Sequence, residues 1–169
     1  MFMKSKTNFS FALPIETSEG AFVARYSDRG LAGLDFPGNF RARSNRTDRV
    51  PKPIQGWHHT TNRALRDALA GKEPQTLPPL DLSRGTDFQQ RVWQALQSIA
   101  TGRTRSYSEV AALIGRPKAV RAVGGACGAN PIPVLVPCHR VLAANHRLGG
   151  FSGGLNWKRS LLEREGVRF

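Results

Sequence analysis

Short β-prone runs at Ala21 to Ser27 and Leu31 to Phe36, joined through Asp28, Arg29 and Gly30, predict an antiparallel hairpin near the start of the chain. From Phe36 to Gly56 neither period persists, and Pro, Gly, Asn and Arg dominate, so this stretch reads as a basic surface loop. Helical spacing predicts one helix from about His59 to Ala70, stopped by Gly71. Leu77, Pro78, Pro79 and Leu80 then mark a connector, beyond which helix formers take over. The expected division is residues 1–80 as a strand-rich domain and 81–169 as a helical one.

In the second part Thr86 and Gln89 have the spacing of a capping box. They open a helix whose stripe of Phe88, Val92, Trp93, Leu96 and Ile99 belongs in the core. Ser106 and Glu109 repeat the box ahead of Val110, Leu113 and Ile114, and Gly115 stops that short helix. Pro117 suits the first turn of a third, which completes a helix-turn-helix pattern. On the third helix Val120, Val123 and Cys127 share one face and should pack inward, while Lys118, Arg121, Gly125 and Gly128 share the other. Glycine is costly inside a helix, so Gly124, Gly125 and Gly128 need a reason. Either another molecule approaches the backbone there, or helices pack closely inside the protein. The expected fold class is α/β, more narrowly α+β: an N-terminal antiparallel-sheet lobe with a helix, and a mainly helical C-terminal lobe.

Charge narrows the partner. Twenty-five Lys and Arg against twelve Asp and Glu leave a formal +13, with residues 81–169 carrying +8 of it, which points to an acidic polymer such as nucleic acid. No stretch approaches the ~18 apolar residues of a membrane span, and Met1 to Pro14 lacks a sustained apolar core, so a cytoplasmic, unprocessed chain is expected. The 40% hydrophobic content is enough for a buried core. Two cysteines, Cys127 and Cys138, are too few for a disulfide framework.

The candidate chemistry gathers at Pro137-Cys138-His139-Arg140-Val141, after the apolar run Val134 to Val136, which reads as a buried strand. A thiol is a nucleophile only as thiolate and needs a base or positive field beside it, which His139 and Arg140 offer. The alternative is that Cys138 is a small buried hydrophobe and His139 a satisfied polar residue. In a terminal helix beginning near Asn156, Trp157, Leu161 and Glu165 share a face, which puts a carboxylate at the end of an apolar stripe where it needs a partner. A Cys-His-Glu relay is compatible with this spacing, and so is a frayed helix end that returns Glu165 to solvent.

These segments resemble the O6-alkylguanine-DNA alkyltransferases, also called methylated-DNA-protein-cysteine methyltransferases. The resemblance rests on Pro137 to Val141, Arg105 to Ala111, Pro117 to Ala126, Asn130-Pro131, Ser152 to Leu155 and Leu161 to Gly166, and it runs almost continuously over residues 86–166. It implies that Cys138 accepts the alkyl group irreversibly, activated through a water by His139, whose other nitrogen Glu165 holds. It implies that Asn130 braces the turn before the active-site segment, and that Tyr107 bonds guanine N3 and helps rotate the nucleotide outward. Arg121 would fill the vacated place in the base stack. Its helix would lie in the minor groove of double-stranded DNA containing O6-alkylguanine, with Lys118, Ala122, Gly125 and Ala126 beside the backbone. Pro137, Val141, Phe151 and Ser152 would form the base pocket. No metal or cofactor is implied, and a monomer is expected. Residues 1–80 contain no cysteine and only His58 and His59, so the zinc site of some relatives is not expected.

Three positions depart from the family's usual pattern: Gly128 stands where a basic residue is common, Cys127 where Met is, and Phe151 where Tyr is. The runner-up reading is a non-enzymatic module that binds alkylated DNA and recruits other repair proteins, although such relatives lack the acceptor cysteine. A sequence-specific regulator would need more base-reading side chains than this third helix has. A cysteine hydrolase would leave the basic helix unexplained.

Overall fold

In a computed structural model that describes residues 11–38 and 49–169, the chain is α+β. Three strands form an antiparallel sheet in the order β1 (Phe11–Thr17), β2 (Gly20–Tyr26) and β3 (Leu31–Asp35). The β2–β3 hairpin turns through Asp28 and Arg29 as its sequence predicts, with a register shift at Arg25/Tyr26. β1 was not legible because Pro14 demotes a strand. It is an edge strand, where a proline is tolerated, and Leu13 and Ile15 alternate inward with Pro14 and Glu16 outward.

The expected loop from Phe36 to Gly56 is shorter than its composition implies. Residues 39–48 lie outside the described residues, and helix α1 (Lys52–Leu69) already begins seven residues before His59. Proline in the first turn suits a helix start, and Gln55 Nε2 donates to the Val50 carbonyl at 2.7 Å. Ile54, Thr61, Ala64, Leu65, Ala68 and Leu69 bury one face, which offsets the glycine at 56.

The helical part comprises α2 (Asp87–Leu96), β4 (Arg105–Ser106), α3 (Tyr107–Leu113), α4 (Val120–Gly128), β5 (Val141–Leu142) and α5 (Leu155–Arg164). Both capping boxes form as their spacing predicts, at Thr86/Gln89 and Ser106/Glu109. Val92, Trp93, Leu96 and Ile99 are all buried. Pro117 lies in a turn ahead of α4 instead of in its first turn, because the helix begins only at Val120, capped by Ala119. Leu113 is exposed, and so is Val120, against the inward packing expected of it, while Val110, Val123 and Cys127 are buried.

The stretch before Cys138 is not a strand. Val134 has a left-handed backbone (φ 75°), and the Val136 N–H donates to the Ile132 carbonyl at 2.9 Å, which makes a turn. Cys138–Arg140 is one turn of 3₁₀ helix, and β5 after it pairs in parallel with β4. Sheet and helices meet over a continuous apolar core, sealed where Phe36 packs on Phe151 and Trp157 with ring centroids 5.7 and 5.0 Å apart.

Candidate active site

Asn130 shapes the turn. Its Nδ2 donates to the Val136 carbonyl at 2.7 Å and its Oδ1 accepts from the Ile132 N–H at 3.0 Å, which closes residues 130–136 into a loop that delivers Cys138 to the floor of a cavity. That cavity, about 410 Å³, is lined by Tyr107, Gly124, Cys127, Gly128, Cys138, Gly150, Phe151 and Ser152. The side chains of Pro137 and Val141 fall outside this lining. Val141 is wholly buried in the core, and Pro137 lines a smaller groove behind the site with Glu73 and Arg140.

Behind Cys138 lies the relay that the sequence left open. His139 Nε2 and Glu165 Oε1 are 2.8 Å apart, with both side chains 1% exposed, so the end of α5 is not frayed. Burial alone would raise the Glu165 carboxyl, but the bonds and charges of His139 and Arg140 outweigh it and hold it at about 2. Burial pushes His139 down, partly opposed by Glu165. The pair is therefore carboxylate and neutral imidazole at neutral pH. With Nε2–H donating to Glu165, Nδ1 carries the lone pair, and that atom is buried without a hydrogen-bond partner among the described residues.

Two further side chains belong to this site, and the sequence did not reveal them. Arg140, read only as a positive charge, lies along Glu165, donating from Nε to Oε2 at 3.1 Å and from Nη2 to Oε1 at 3.0 Å, and its Nη1 donates to the Ile99 carbonyl. Lys158 was missed altogether. It is fully buried, and its Nζ donates to the carbonyls of Val141 at 2.6 Å and Gly150 at 3.2 Å. Lys158 precedes Leu161 and Leu162 by three and four positions and so shares their buried face of α5, the one signal in the sequence that could have found it. Burial raises the Cys138 thiol, opposed first by a hydrogen bond with Asn130 and then by the Lys158 charge. Burial pushes Cys127 up to about 12, and this second thiol lines the same cavity. Burial also raises Tyr107, as do the two nearby thiols, which keeps its phenol a donor.

On the outer face of α4 Arg121, Gly125 and Gly128 are exposed as their spacing predicts, and so is Ala122; Lys118 is exposed too but stands in the turn before the helix, because α4 begins only at Val120. Ala126 is not part of it, being 2% exposed, and its carbonyl accepts the Trp93 indole N–H at 2.8 Å. A Cβ added at Gly124, Gly125 or Gly128 would meet nothing within 4 Å. These glycines are therefore not explained by packing inside the protein, and the face is free for another molecule to approach. Among the described residues no cluster of His, Cys, Asp or Glu could hold a metal, and no helix is long and apolar enough to cross a membrane.

Fold and site together are those of a protein with a helix-turn-helix and a cysteine-lined pocket beside its second helix. Residues 87–167 match the DNA-binding domain of the 6-O-methylguanine DNA methyltransferases. The methylated-DNA–protein-cysteine methyltransferase of Mycobacterium tuberculosis is 62% identical over 104 residues, and the alignment spans 62% of each chain. The bifunctional transcriptional activator/DNA repair enzyme Ada of Escherichia coli is 47% identical over 121 residues, 70% of this chain and 32% of that protein. The crystal structure of Mycobacterium tuberculosis OGT in complex with DNA superposes with a TM-score of 0.73 at 43% identity, over 90% of both chains. The chain belongs to the O6-methylguanine-DNA methyltransferase family.

Proposed function

We propose that this chain repairs DNA by direct reversal: it binds duplex DNA through α4, turns an O6-alkylguanine out of the stack into the pocket, and takes the alkyl group onto Cys138. The observation that carries this reading is a cysteine on the floor of an open pocket with a buried His139–Glu165 pair 2.8 Å apart immediately behind it. The His139 Nδ1 lone pair takes the thiol proton through a water, and Glu165 steadies the imidazolium that results. The thiolate sulfur attacks the alkyl carbon. The bond to O6 breaks with its electron pair passing to guanine, the Tyr107 hydroxyl donates a hydrogen bond to N3 as charge builds there, and the proton that His139 took from the thiol returns through water to the base, which leaves neutral. A thioether is no leaving group, so the protein is consumed.

Flipping costs a few kcal/mol, which Arg121 in the vacated place and phosphate contacts from the +13 chain offset. Glycines on α4 let the backbone approach the minor groove, and Phe151, Ser152 and the Val141 backbone recognise the base. The work divides at the connector before residue 81, with the strand-rich part as support. The protein acts as a cytoplasmic monomer without metal or cofactor.

Intact-protein mass after mixing with a duplex containing O6-methylguanine tests this. The expected gain is one methylene, on the peptide carrying Cys138 and lost in Cys138→Ala, which still binds DNA. Binding of alkylated duplex without a mass gain would instead favour the recruiting module.

A further inference from the structure

The turn after α1 touches the relay from outside. Gly71 has a left-handed backbone (φ 74°), and a Cβ there would stand 2.1 Å from the Arg164 carbonyl oxygen, so the chain passes directly against the end of α5. Two residues on, Glu73 accepts from the Thr101 N–H at 2.8 Å and from the Thr101 hydroxyl. That hydroxyl in turn accepts from Arg140 Nη2 at 2.8 Å, and Arg140 Nη1 lies 3.9 Å from the Glu73 carboxylate. The neighbouring Gly102 N–H reaches Glu165 Oε2 at 3.3 Å. A hydrogen-bonded path therefore runs from Glu73 through Thr101 and Arg140 to Glu165 and His139.

We propose that Glu73, from the strand-rich part of the chain, is a positioning residue for alkyl transfer: it holds Thr101 and one side of Arg140, so that Arg140 orients Glu165 without drawing it off His139. This rests on the alkyl-transfer reading. Arg140 is shared between two carboxylates, and loss of one leaves its whole charge on the other. Glu165 then serves Arg140 at the expense of His139, whose proton affinity falls. The charged groups facing His139 are Lys158 on α5, Glu165 at the C-terminal cap of that helix and Arg140 beside it, with Glu73 beyond Arg140.

The Glu73 side chain is 57% exposed, so its effect is moderate. Glu73→Ala is expected to lower the single-turnover rate by about fivefold, with the acid limb of the pH–rate profile moved to lower pH. Glu73→Gln keeps an acceptor for Thr101 without the charge and should fall between the two. Thr61→Val breaks a buried hydrogen bond with Tyr26 elsewhere in the strand-rich part and lowers Tm without moving the limb. A Glu73→Ala profile with the wild-type limb, or an equal displacement in Thr61→Val, overturns the proposal. Alkylation of Cys138 by iodoacetamide across pH, followed on its peptide, reads the same relay without DNA. A wild type that takes no alkyl from DNA therefore counts against the function, and an unmoved iodoacetamide profile in Glu73→Ala counts against Glu73.

Discussion

The two sides of the Cys138 pocket are built on opposite rules. Behind the cysteine, the side chains of His139, Arg140 and Glu165 are at most 5% exposed and hold one another, Thr101 and the Ile99 carbonyl in a dense polar network. In front, three glycines on α4 face open space and Arg121 points to solvent. A buried ion pair costs desolvation and is retained only with good geometry, whereas a glycine in a helix costs stability for no internal contact. One side invests in order before the substrate arrives. The other gives up stability to leave room for it. Mutations on the two sides should therefore fail differently.

The largest expected effect lies behind the pocket. Glu165→Gln removes the charge that supports the His139 imidazolium and should slow transfer by about a hundredfold, with DNA affinity unchanged. The same carboxylate governs acid stability. Its folded value of about 2 lies below the ordinary 4.5, so its contribution is complete above pH 4.5 and is lost as pH falls towards 2. His139, held below its ordinary 6.5, has the same sign, and its loss begins at higher pH. Acid titration of folding should thus show two carboxylate and imidazole losses in wild type and a shallower fall in Glu165→Gln. Identical titrations would mean that the network behind the cysteine does not store stability.

In front, Arg121→Ala should slow transfer from duplex O6-methylguanine about tenfold or more but leave transfer from the free base nearly unchanged, because only the duplex requires flipping. Arg121→Lys should rescue partly, lacking the planar guanidinium. Equal slowing on both substrates, measured by single-turnover transfer to Cys138, would move Arg121 to the supporting side of the comparison.

The smallest effect is also the most diagnostic, since its two readouts have opposite signs. Gly125→Ala should raise stability by about 0.5–1 kcal/mol, the helix gain with nothing to clash against, and weaken duplex binding severalfold. Gly125→Leu should weaken binding further. Denaturant unfolding beside a binding isotherm in moderate salt checks both. A variant that binds as wild type would remove close backbone approach as the reason for these glycines.

Local pattern determined much of this protein. Both capping boxes, the stripe on α2 and the exposed basic face of α4 follow from residues within one or two helical turns of each other, so spacing alone exposes them. Cys138, His139 and Glu165 were legible as chemistry because their residue types and the family resemblance named them, although spacing could not say whether Glu165 was buried. Tertiary structure decided the rest. The apolar run before Cys138 became a turn because Asn130 binds both its ends. Lys158 went into the core because the Val141 and Gly150 carbonyls surround its ammonium, and Glu73 met Arg140 across 67 positions of chain. A charged side chain is buried only where distant backbone supplies its partners, and a single sequence carries no local period that announces such partners.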